Sequence, residues 1–577
     1  MITLNNINLS SIDLSGIDLR GIKLGLGGRG GGSSDGFPQL PGDVTRWHFG
    51  GLTNEMMAAM DDPRIEDADG KGRFLSFKNF AWGGMSGVGG YVQDFNYFRN
   101  NATVDKVRID EQSSNSIKVT LLTSGMGHVI YIPKNVYQFN KSYFIKISSE
   151  GYNEGDLFLS FYAPSTSTAT TVKVPLNPNG ITEIPAIKED DFLAVYLFNA
   201  AGKVGSITIE QLPLYPGFIL GDGVDDFAVT EKELNFEDTY TVYTAFIPFQ
   251  DDPARNMILC GKNDTKDFAI NYSGTHLNFK PSTGVNLAVR IDQFALLVCK
   301  RNKDITTIIN LSTGESRSLK SVEFISNPGL YYLWRNVFVT FHAKAAIAGQ
   351  IIDNGHFTTD EEDENILNWH KKQYPWLFPD QAWTVTGKTN EDEDRATIAN
   401  ITGNGNDLRL SNFGFAEGSG YNEEGEYAGY LVTDGVDDKI TSSDFKMGKD
   451  FTIVGDWKFI IDENKGCGLV KVPKLYIYNS KTGLDIYINS NSIKNILSGI
   501  KGLNAVCSDG RVYDCNWNEI SVKYGNMVDI NSSFLIANSG NIFTKMAFKN
   551  LGIYNNQLLS KDDCIKAYNY LQTLKAK

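Results

Sequence analysis

The five-residue segment Asp-Gly-Val-Asp-Asp occurs twice, at 222–226 and at 434–438, and a chain that repeats its landmarks builds the same structural unit more than once. Upstream, Thr-Asn-Glu stands at 53–55 and again at 389–391. Gly70-Lys-Gly72 followed by Leu75-Ser-Phe77-Lys-Asn79-Phe80 is matched by Gly403-Asn-Gly405 followed by Leu408-Arg-Leu410-Ser-Asn412-Phe413. The glycine landmark is displaced by 333 positions (70 to 403) and the Asp-rich landmark by 212 (222 to 434), so the first copy carries 121 extra residues between them. An extra domain spliced into a surface loop explains this, because loops tolerate insertion.

Each copy reads as β-structure closed by one helix. The runs at 240–247, 337–341 and 475–478 are rich in β-branched and aromatic residues and bounded by Gly, Asn, Asp or Pro, the pattern of a sandwich or jelly roll. Thr358-Thr-Asp-Glu-Glu-Asp before Ile366 and Trp369, and Ser560-Lys-Asp-Asp before Ile565 and Tyr568, predict N-capped helices with acids in the first turn. The extra segment has strands of its own at 116–121, 143–147, 157–162, 192–198 and 206–210. The expected organisation is an N-terminal arm over 1–24, a Gly-rich linker over 25–42 and a first jelly roll from 43–100 with 216–376. An inserted β-sandwich over 101–215, similar in outline to carbohydrate-binding modules, and a second jelly roll over 377–577 complete it.

Composition narrows the function. The 577 residues carry 54 Lys and Arg against 68 Asp and Glu, a net charge of −14. Such a chain repels phosphate backbones and anionic bilayers, so neither nucleic acid nor membrane is an expected partner. With 41% hydrophobic and 12% aromatic residues it can pack several cores. No run approaches the length that spans a bilayer, and residues 1–24 lack the basic-then-apolar order of a secretion signal, so synthesis in a cytoplasm is expected. The six cysteines, Cys260, Cys299, Cys467, Cys507, Cys515 and Cys564, form no Cys-x-x-Cys pair. Cys507 and Cys515 are spaced to bridge a hairpin, although reduced, buried thiols suit that compartment better.

Residues 7–26 repeat with a period of five: Ile7, Ile12, Ile17 and Ile22 alternate with Leu9, Leu14, Leu19 and Leu24. This resembles the pentapeptide-repeat pattern, in which four pentads make one turn of a square β-helix. One turn cannot bury its own apolar face, so the eight aliphatic residues are expected to join the chain to sister chains, as a trimer or dimer, or to another protein of an assembly. The run at 25–36, mostly Gly, is a flexible linker by composition.

The Gly-Lys-Gly and Gly-Asn-Gly turns, the Asp-Gly-Val-Asp-Asp segments and the closing Ser/Thr-Asp-Glu helices resemble the LamG-like branch of the concanavalin A-like superfamily. The wording at 79–91 and 209–217 is similar to virion proteins of Bacteroides-infecting, crAss-like gut phages. The resemblance spans roughly residues 45–577. It implies an all-β fold of two concanavalin A-like jelly rolls, the first interrupted by a sandwich, behind a short pentad arm. It also implies a phage structural protein, a head or tail fibre or appendage on the virion surface. Its partners would be capsid or tail proteins and, through host attachment, surface glycans. The alternative is a soluble carbohydrate-binding or glycan-degrading protein.

Few side chains stand in a pattern that carries chemistry. The histidines His48, His128, His276, His342, His356 and His370 fit no metal-ligand spacing, and His342 reads as packing or strand edge. Asp222, Asp225 and Asp226, with Asp434, Asp437 and Asp438, could ligate calcium, but Asp-Gly also sets tight turns and the paired acids then cap a strand entry. The expectation is a non-enzymatic binding or structural protein without catalytic residues or a cofactor, calcium being the one ion to consider.

Overall fold

The strand Tyr240–Pro248 is buried at every position, although half of its side chains should face away from any single core. The reason is that both of its faces are covered. Val242 and Phe246 enter the interior of a sandwich, whereas Tyr243, Ala245 and Ile247 point the other way, under helices. The same holds for Ala295–Arg301, with Leu297 and Cys299 on one side and Leu296 and Val298 on the other. Strands buried on both faces lose polar alternation, so these segments are mostly apolar, with Thr241, Thr244, Lys300 and Arg301 as buried polar exceptions.

The computed structural model describes residues 36–576, apart from 102–105, 164–169, 190–191, 250–256, 263–267, 274–275, 281–285, 291, 304, 321–327, 336–341, 461–466, 473–474, 481–482, 489–490, 494–501, 522–529, 537, 540–541 and 544. The pentad residues Ile7, Leu9, Ile12, Leu14, Ile17, Leu19, Ile22 and Leu24 lie outside the described residues.

The fold is all-β, antiparallel and built of packed sheets. One eight-stranded sheet runs Glu315–Lys320, Ile305–Asn310, Ala295–Arg301, Tyr240–Pro248, Lys344–Asn354, Ile219–Asp222, Gly87–Val88, with Asp43–His48 also on Lys344–Asn354. A second runs Glu519–Ser521, Arg511–Asp514, Gly502–Cys507, Phe451–Phe459, Met546–Asn555, Tyr430–Val432, Gly420–Asn422, with Gln381–Thr384 on Met546–Asn555. The two orders match strand for strand. So do the opposing eight-stranded sheets, one beginning Arg64–Glu66, Phe74–Lys78, Phe227–Thr230, the other Thr397–Ile398, Leu408–Ser411, Lys439–Met447.

Local devices repeat with the topology. Asn54 accepts from Val88 N (2.7 Å) and donates to Val88 O (3.2 Å), and Asn390 does the same with Tyr421 at 2.8 Å each. Gly87 and Gly420 have φ of 136° and 156°, and a Cβ on either would stand 2.5 Å from that asparagine's Oδ1. Asn79 and Asn412, both at φ 68°, donate to Asp225 O and Asp437 O.

Between Val88 and Ile219 the chain builds two five-stranded sheets, with Leu157–Tyr162, Ala194–Asn199 and Gly127–Pro133 central in one, and Tyr143–Ser149, Gly205–Gln211 and Ser116–Leu121 in the other. Its entry and exit are tied together by Tyr215 N to Gly89 O and Gly89 N to Phe218 O, 2.8 Å each. The insert starts earlier than the expected residue 101. Val92, Phe95 and Phe98 pack in its core and Arg99–Asn100 pairs with Gly127–Pro133, because these apolar side chains have no other interior to enter. The linker expected over 25–42 also ends early. Phe37 packs edge-on against Trp369 at 5.3 Å, under the Arg46 guanidinium at 4.0 Å.

Three helices complete the described elements: α1 (Asn54–Ala58), α2 (Asp360–Gln373) and α3 (Lys561–Thr573). α2 starts at a capping box of Thr359 and Glu362, and α3 at an N-cap of Ser560. α2, α3 and the short 3-10 turn Pro375–Leu377 fill a central apolar layer. The inner sheets of both jelly rolls and Phe144 and Ile181 of the insert close over it. Contacts across it include Phe144 to Tyr568 at 5.5 Å and Tyr570 Oη accepting from Phe294 N at 3.0 Å.

Candidate functional site

The paired Asp-rich segments form the turn that carries the chain from one sheet of each sandwich to the other. Asp222 Oδ1 accepts from Val224 N (2.7 Å) and Asp226 Oδ2 from Asp222 N (2.9 Å). Asp434 and Asp438 repeat these bonds at 2.7 and 2.8 Å. Asp225 and Asp437 are exposed, Asp222 and Asp434 half-buried, and Asp226 and Asp438 buried. Each trio has carboxylate oxygens within 4.8 Å of one another. The structure thus brings the calcium candidates together, but two carboxylates of each trio are engaged by the turn's own amides, which is the role of a turn lock. His342 is buried beside the Phe227 ring at 6.3 Å.

Burial pushes the Asp226 carboxyl up to about 7 and the Asp438 carboxyl up to about 6, with the neighbouring aspartates adding to the rise. An acid whose folded value exceeds its unfolded value is stabilising at low pH, and that contribution is lost as pH rises through the folded value. Stability should therefore fall between about pH 4 and pH 7, by roughly 1–3 kcal/mol per site. Asp226→Asn and Asp438→Asn should flatten this fall in denaturant midpoints measured across that range. An unchanged slope in both variants would defeat the assignment, and added calcium that reverses the fall would make the trios ligands.

A second cluster of side chains lies on the outer face of the insert. On the insert, Leu157–Tyr162, Ala194–Asn199 and Gly127–Pro133 pair with Ser160 opposite Tyr196 and Tyr196 opposite Tyr131. Alternation sends Leu159, Phe161, Val195, Leu197, Ile130 and Ile132 into the core and leaves Phe158, Tyr162, Tyr196, Phe198 and Tyr131 half-buried on the outer face. The register slips between Leu197 and Phe198, and the bulge brings His128 over the Tyr196 ring at 4.2 Å, stacked within 28°. Tyr131 and Tyr162 flank Tyr196 at 5.6 and 5.9 Å, and Phe198 lies 5.3 Å from His128 with Lys173 Nζ 4.5 Å above its ring.

The chemistry of this face is a partly wet aromatic platform. Burial, then Lys173, holds the His128 imidazole below its ordinary value, so the ring is neutral at physiological pH. Burial, then Tyr131 and Tyr162, raises the Tyr196 phenol, which stays a hydrogen-bond donor. Ser160 Oγ lies under the platform, fully buried and without a hydrogen-bond partner among the described residues. In the sequence the only sign of this face is aromatic side chains at outward positions of otherwise amphipathic strands, as at Phe158 and Tyr162, which does not say which strands lie side by side.

No protein-family model matches the chain, and no curated protein matches it. Among solved structures, the chain is similar to the calcium-bound exoplasmic/lumenal domain of VIP36, with 6% identity and a TM-score of 0.20 over 25% of this chain and 82% of that one. It is similar to a botulinum neurotoxin serotype D/C binding domain, with 9% identity and a TM-score of 0.26 over 57% and 89%. A third is domain 4 of AbnA, an arabinanase of Geobacillus stearothermophilus solved with arabinotriose, with 14% identity and a TM-score of 0.19 over 26% and 81%. Likeness at this level specifies no ligand for the present chain.

Proposed function

We propose that this chain is a non-enzymatic glycan-binding protein whose insert presents the adhesive surface, displayed on a bacteriophage particle as a fibre or appendage anchored by its N-terminal arm. The observation that carries the glycan reading is the outer face around Tyr196. Pyranose rings offer a flat C–H face to aromatic rings and hydroxyls to flanking polar groups. The platform supplies both, with phenols at Tyr131, Tyr162 and Tyr196 and an ammonium at Lys173. The virion part rests on the pentad arm and on the resemblance to phage virion proteins.

The test is binding of the full chain to host capsule and surface glycans on an array, with Tyr196→Ala and Phe198→Ala alongside. Loss of one stacking ring should weaken binding about ten-fold, roughly 1.4 kcal/mol, without loss of fold by circular dichroism. No binding across the array, or binding unmoved by both variants, would remove the glycan reading. Mass spectrometry of purified phage particles decides the virion reading separately, since a chain missing from the particles is not a virion protein.

A further inference from the structure

A cleft of about 400 Å³ lies where the insert meets the second jelly roll and α3. One wall comes from the hairpin between Arg511–Asp514 and Glu519–Ser521. There Asp514 accepts from Asn516 N (2.9 Å) and Asn518 N (2.8 Å). This tight loop holds Trp517 in the left-handed region at φ 61°, a conformation that costs a non-glycine residue free energy and is kept only where its surroundings enforce it. The Trp517 ring stands edge-on to Tyr568 of α3 at 5.6 Å.

Two polar groups on the walls of this cleft are left unsatisfied. Trp517 is 2% exposed and Asn569 3% exposed, and neither Trp517 Nε1 nor Asn569 Oδ1 has a hydrogen-bond partner among the described residues. A buried donor and a buried acceptor both left without partners are costly and call for an explanation. One is a donor only and the other an acceptor only, so a single occupant that satisfies both must both accept and donate, as hydroxyl groups do. The apolar side chains of Ile181, Leu212 and Ile565 line the same cleft and suit a C–H face. Of its charges, Lys146 and Lys561 stand against Glu210 and Asp562, and the third lysine, Lys566, is paired with Asp563 just outside the lining at 3.3 Å, which favours no net charge on the occupant.

We propose that this cleft is a second, independent binding site for a neutral saccharide of one or two rings. Trp517 would donate to, and Asn569 accept from, its hydroxyls, each after a small shift of the side chain toward the cleft. The proposal does not rest on the aromatic face of the insert. It is tested in the full chain carrying both Tyr196→Ala and Phe198→Ala, so that the face contributes little, by calorimetric titration with glucose, galactose, mannose, fucose, N-acetylglucosamine, lactose, cellobiose and glucuronate. At least one neutral sugar should bind at roughly millimolar affinity or tighter. Trp517→Phe, which keeps a ring and removes the N–H, should weaken that binding about ten-fold. Asn569→Leu should weaken it similarly, and Trp517→Phe alone suffices should that second variant fail to fold. Water as the sole occupant would leave every sugar without effect and overturn the proposal. So would binding of glucuronate alone, or binding unmoved by Trp517→Phe.

Discussion

Asp363→Ala should destabilise the first jelly roll by about 3–5 kcal/mol. Asp363 sits in the first turn of α2 and forms a salt bridge with Lys300 on the sheet below, both side chains 3% exposed. Its Oδ1 also accepts from Tyr243 Oη and Thr358 Oγ1, 2.8 Å each, while Lys300 donates to Thr358 O at 2.9 Å. Alanine leaves an ammonium deep in the protein with only the exposed Asp360 carboxylate in reach, at 4.0 Å, and a buried phenol that has lost its acceptor. The cost is the uncompensated charge more than the lost attraction. Removing both charges, as Lys300→Met with Asp363→Leu, should therefore be much milder than Asp363→Ala alone. Denaturant titration of the three proteins measures this. A loss below about 1 kcal/mol for Asp363→Ala, or a double variant worse than the single, would show that the pair is not the clamp between α2 and its sheet.

Trp376→Ala should cost a similar amount, about 3–5 kcal/mol, and change how the molecule unfolds. Trp376 is 1% exposed at the junction of the two jelly rolls. Its ring lies 6.3 Å from Phe218 of the first and 5.9 Å from Tyr570 of α3, and its carbonyl accepts from Tyr554 Oη at 2.9 Å. Much of what joins the copies passes through this layer, so emptying its centre weakens their coupling more than either sandwich interior. Calorimetry of the variant should resolve separate transitions where the parent shows more overlap. A variant that loses stability while its transitions stay as overlapped as the parent's would place the coupling elsewhere.

The sequence by itself determined what depends on short spacing. Short runs of β-branched and aromatic residues bounded by turn formers specify an all-β chain, and the caps at Thr359 and Ser560 come from side chains bonding amides three residues on. Turn residues that bond within a few positions, such as Asp222 to Val224, are equally local, which is why the Asp-rich turns stood out. Locality also left two readings open. Carboxylates close in sequence suit either a calcium ion or a tight turn, and the hydrogen bonds of Asp222, Asp226, Asp434 and Asp438 go to the turn's amides. Tyr131, Tyr162 and Tyr196 come from three strands, and only the antiparallel register, with its bulge at Phe198, sets them on one face. Trp517 and Asn569 share a cleft because three separately built units close around a common helical layer. Period-two alternation says which side chains of a strand share a face. Which strands are neighbours, and what covers each face, is decided by burial between segments hundreds of residues apart, and that exists only once the chain has folded.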